Sequence, residues 1–121
     1  MSLTHTIEPE FYDDERFSSI ITLHYVNDCY ENEISLCAYD DVDMWNNLIK
    51  NMKSGTEYHH SIGYGRESFS GIEVKDGNVN VYASIHGGNM NTNFKVKNEV
   101  FLPIAEKIRD EIVMRIASHM F

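Results

Sequence analysis

The sequence predicts one α+β domain: a mostly antiparallel sheet of about five to six strands, order ββαββββα, with two helices packed on one face. Three observations carry that reading. Several short segments alternate apolar and polar residues, two longer ones repeat apolar residues at helical spacing, and most strands follow one another through short turns. The strict strand–helix alternation of a parallel sheet is missing. At 121 residues the chain supports one core and no more.

Residues 1–18 are expected to be irregular, because Pro9 and the run Asp13, Asp14, Glu15 favour turns. Residues 19–26 are rich in β-branched and aromatic side chains and read as a strand, followed by a loop over 27–32. Residues 33–39 set Ile34, Leu36 and Ala38 against Ser35, Cys37 and Tyr39, so the two strands pair as a hairpin.

Asp40 or Asp41 then caps a helix, with Asp43 near the positive end of its dipole. Val42, Trp45, Leu48, Ile49 and Met52 form its apolar stripe, and Gly55 is placed to end it. Trp45, the single tryptophan, belongs to that stripe and reads as core.

Strands are expected over 57–62 and 68–75, then over 78–86 after Asp76-Gly77, whose two residues suit a type I′ turn. Residues 87–91 read as a polar loop and 92–97 as a last strand. A closing helix over about 100–119 carries Ile104, Ile108, Ile112 and Ile116, with Pro103 expected in its first turn.

Nineteen Asp and Glu oppose ten Lys and Arg, a formal net charge of −9. Such a chain repels nucleic acid and anionic membranes unless a local basic patch intervenes, and its cations are scattered. A basic protein partner is permitted, while solubility alone accounts equally for such a charge. No stretch is long and apolar enough to span a bilayer, and residues 1–9 lack the marks of a secretory signal. Cys29 and Cys37 are too few for a disulfide framework and read as reduced thiols of a cytoplasmic protein.

No group of residues assembles into a reaction, so the chain reads as a non-enzyme without cofactor or metal. Gly63-Tyr64-Gly65 begins like a dinucleotide fingerprint, yet its third position is Ser68 and a strand follows. His59 and His60 are adjacent on a strand, hence on opposite faces and unable to chelate one ion. His86-Gly87-Gly88 has no G-x-S-x-G elbow to serve, and Asp40, Asp41 and Asp43 lack calcium-loop spacing.

The order of elements is similar to that of some immunity proteins of bacterial contact-dependent and polymorphic toxin systems. The strand ending at Tyr39, the segment DDVDMWNNLIKNM, the hairpin VKDGNVNVY and the closing helix carry this likeness, over roughly residues 20–115. It is a likeness of arrangement, without a shared diagnostic motif. It implies a small inhibitor that occludes one protein partner. A small-molecule-binding domain and a DNA-mimic inhibitor are the alternatives. The expected contact surface comprises Asp28, Glu31, Asp40, Asp41 and Asp43, read as lying near one end of the first hairpin. The loop residues Asn89 and Asn91 are the second candidate.

Overall fold

The computed structural model describes residues 1–11, 17–37, 39, 41–63, 68–85 and 90–119. Their order is β1 (Ser2–Phe11), β2 (Phe17–Val26), β3 (Glu31–Cys37), α1 (Val42–Ser54), β4 (Tyr58–Gly63), β5 (Phe69–Lys75), β6 (Asn78–Ile85), β7 (Met90–Lys97) and α2 (Asn98–His119). The α+β class and the antiparallel pairing stand as read. Three differences bear on the packing.

The N-terminal segment is not irregular. β1 pairs with β2 along its whole length, from Ser2↔Val26 to Phe11↔Phe17. Its alternation was hidden by polar residues: Leu3, His5 and Ile7 turn inward while Thr4, Thr6 and Glu8 are exposed. Pro9 does not prevent this, because β1 is the edge of its sheet, where proline is tolerated. The acidic run Asp13, Asp14, Glu15 lies outside the described residues.

The strands form two sheets rather than one, β1-β2-β3 and β4-β5-β6-β7. β3 lies against β7 and β6, but side chains replace the backbone ladder there. Asn32 donates through Nδ2 to the Asn93 carbonyl at 2.9 Å, and its Oδ1 accepts from Thr92 Oγ1 at 2.7 Å. Beneath this seam Tyr25 of β2 stacks on Phe94 of β7, with ring centroids 5.2 Å apart.

The third difference is the start of α2. Asn98 N–H donates to the Gly77 carbonyl at 2.9 Å, and its Nδ2 reaches the Met52 carbonyl at the end of α1. These tertiary bonds begin the helix earlier than expected, so Pro103 sits inside it rather than in the first turn.

One core joins all the layers. α2 packs on α1 and on strands of both sheets, and α1 packs on β4 and β5. The α1 stripe buries Trp45, Leu48, Ile49 and Met52 as read, together with Met44. On α2, Phe101, Ala105, Ile108 and Ile112 are fully buried. α2 also holds the edge strand: Glu111 bonds His5 Nε2 at 2.9 Å, and Arg115 donates to the Ile7 carbonyl at 2.8 Å.

Two turns were legible in full. Gly55 ends α1 in the left-handed region with φ 72°. Asp76 and Gly77 both have positive φ, 53° and 78°, as a type I′ turn requires. No helix among the described residues is long and apolar enough to cross a membrane.

Candidate functional site

The sequence nominated one cluster of carboxylates, and the fold divides it. Asn27 builds the β2–β3 turn: its Oδ1 accepts from the N–H groups of Cys29 and Tyr30, both at 2.8 Å. That turn presents Asp28 to solvent, and Glu31 opens β3 on the exposed face. Glu31 takes a bond from His24 Nε2 at 2.6 Å, and Glu33, opposite His24 in the register, extends the acidic row.

Asp41 and Asp43 stand beyond the far end of β3. Six residue steps of about 3.3 Å separate Glu31 from Cys37, roughly 20 Å in all. The carboxylates therefore do not form the one cluster expected. Asp41 is the helix cap, accepting from the N–H groups of Asp43 at 3.0 Å and Met44 at 3.4 Å. Asp43 lies exposed in the first turn, while Asp40 and Asn89 fall outside the described residues.

The same distance separates the cysteines. Cys29 is a free, exposed thiol in the turn. Cys37 ends β3 on the far side, well beyond the ~4.4–6.8 Å between Cα atoms that a disulfide spans.

What the fold does bring together is the acidic turn and the second candidate. Asn91 belongs to β7 rather than to a loop, and it is exposed. The Asn32 bonds to Thr92 and Asn93 lie next in sequence to Glu31 on one strand and to Asn91 on the other. Glu31, Glu33 and Asn91 thus neighbour the residues of one seam, and Asp28 lies in the turn that precedes it. Alternation turned Ile34 and Leu36 of β3 and Val79 and Val81 of β6 inward as read, whereas Tyr39, read on the side opposite Ile34 and Leu36, is fully buried beyond the end of β3. A contact between strands 60 residues apart leaves no local pattern.

The histidines divide as their spacing implied. His59 is exposed, with its Nε2 bonded to the Tyr82 hydroxyl, while His60 turns inward, edge-on to Tyr39 with centroids 5.4 Å apart. His24 lies on the other sheet. Among the described residues no three His, Cys, Asp or Glu side chains converge as a metal site.

Burial holds the His60 imidazole below its ordinary value; the Asp41 carboxylate pulls it upward and His59 adds to the lowering. The unfolded chain takes up this proton near pH ~6.5, whereas the folded chain resists it. His60 therefore leaves stability unaffected above that pH and lowers it as the pH falls toward the depressed folded value. Replacing His60 with Gln should flatten the stability curve between about pH 7.5 and 5.5. Urea midpoints at both pH values check this, and an equal drop in parent and variant would remove His60 as the source.

A third feature was not read from the sequence. On the outer face of the four-stranded sheet, Gly71 lies under Tyr82, and a Cβ there would collide with the phenol. Phe69, half-exposed, meets the Tyr82 ring edge-on at 6.0 Å, and Asn93 Nδ2 donates to Asn80 Oδ1 at 2.9 Å. Asn78, Asn80 and Ser84 alternate in the sequence as one polar face of this hairpin, and Tyr82 shares their side of β6. Only the register shows that Phe69 and Asn93 join it.

No protein-family model, no curated protein and no solved structure matches this chain.

Proposed function

We propose that the chain is a non-catalytic, cytoplasmic inhibitor that covers a basic protein partner, in the manner of small bacterial immunity proteins. The observation that carries this reading is the seam between β3 and β7. Exposed Glu31 and Glu33 flank Asn32, whose side chain ties β3 to Thr92 and Asn93 of β7, with Asp28 exposed in the preceding turn and Asn91 exposed on β7. A formal charge of −9 adds a long-range field of the same sign. Carboxylates steer and orient a basic surface, and adjoining amides supply hydrogen bonds whatever the exact register. The free thiol of Cys29 at this turn suits a reducing compartment.

The test is kinetic and uses the basic protein that the chain inhibits. Association should slow steeply as salt rises, while dissociation changes little. The double variant Asp28→Lys with Glu31→Lys should keep its melting temperature and lose association rate by about tenfold or more at low salt. Asp41→Ala should behave oppositely, losing about 1 kcal/mol of stability with binding retained. Unchanged binding by the double variant at low salt would exclude the seam as the contact surface.

A further inference from the structure

The outer face of the four-stranded sheet holds a hollow of about 250 Å³, walled by Phe69, Asn80, Tyr82, Ser84, Asn91 and Asn93. None of the residues lining it is charged, in a chain that carries 19 acidic and 10 basic side chains. Its volume falls below the ~300–1,000 Å³ of sites for drug-sized ligands, which leaves room for one ring. Its walls are of two kinds. Phe69, 47 % exposed, and the Tyr82 ring give an aromatic corner.

Opposite them stand polar groups that both donate and accept. The Asn93–Asn80 bond orients this amide pair, with Asn80 Nδ2 as its second donor and Asn93 Oδ1 as its second acceptor. Ser84, also on the wall, is only 3 % exposed, and its hydroxyl meets no hydrogen-bond partner among the described residues.

We propose that this hollow binds one ring of a neutral saccharide. A pyranose has an apolar C–H face for the Phe69–Tyr82 corner and a rim of hydroxyls that donate and accept, as amides and hydroxyls do. An ionic ligand would find no counter-charge on these walls. The site is distinct in chemistry from the acidic row at the seam, although Asn91 borders both. A free saccharide tests it without any protein partner, so the two readings fail separately.

The experiment titrates the intact chain with the methyl glycosides of glucose, galactose, mannose and N-acetylglucosamine, followed by proton–nitrogen NMR. At least one glycoside should give saturable shifts at the side-chain amides of Asn80 and Asn93 and the backbone of Tyr82 and Ser84. Phe69→Ala should weaken that binding by about tenfold, the worth of one aromatic contact, with the remaining spectrum unchanged. Asn80→Ala gives an independent reading that leaves the aromatic corner intact, and it too should weaken binding. Failure of all the glycosides to saturate, or saturation unaltered in both variants, would overturn the proposal. So would a response of the same resonances to methylguanidinium in place of the glycosides, since that assigns the hollow to a cationic side chain.

Discussion

Trp45→Ala is expected to cost about 3–5 kcal/mol, the largest effect of any single truncation in this domain. Trp45 is fully buried, and its Nε1–H donates to the Tyr39 carbonyl at 2.6 Å. Tyr39 is itself fully buried, with its hydroxyl 3.1 Å from Ser70 Oγ on β5. Alanine would therefore open a cavity and strip the partner from a buried carbonyl at the point where β3 hands over to α1. Trp45→Phe separates the two contributions, because it keeps most of the ring volume and loses only the donor, at about 1–3 kcal/mol. Urea unfolding with an unchanged m value is the measurement. A loss under about 1 kcal/mol for Trp45→Ala would show that the indole does not hold this junction together.

Ile108→Ala and Leu48→Ala should each cost about 2–5 kcal/mol. Both side chains are fully buried, Ile108 on α2 and Leu48 on α1, and the two helices pack on each other. The double variant should depart from additivity, as substitutions in a shared contact region do. A loss below about 0.5 kcal/mol at both positions would mean that the apolar stripes do not face a core.

Both of those residues were legible in the sequence, and the reason is periodicity. α1 announced itself through its stripe, its aspartate cap and Gly55; the β5–β6 hairpin did so through Asp76-Gly77. β1 was missed because its inward residues include His5, which breaks the apolar alternation and is accommodated only because Glu111 of α2 meets it. The division into two sheets was equally hidden. It depends on Asn32 bonding across to Thr92 and Asn93 by its side chain, and an asparagine near a turn carries no mark of that role. Of the acidic candidates, the cap was read as Asp40 or Asp41 and is Asp41, but Asp28 and Asp41 were grouped by sequence proximity. A seven-residue extended strand carries its two ends farther apart than sequence distance suggests.

The bond from Arg115 to Ile7 bears on how the molecule avoids its own kind. β1 is a ten-residue terminal strand, long enough to template the addition of a strand from another molecule. Residues two apart turn their backbone groups to the same side of a strand, so Ile7 and Pro9 share one side of β1. On that side the Ile7 carbonyl is already occupied by a guanidinium, and Pro9 has no N–H to offer. A docking strand would thus have to displace an arginine and leave one of its own carbonyls unmatched. The proline that disguised this strand in the sequence, together with the arginine from α2, protects its margin against fibrillar self-association.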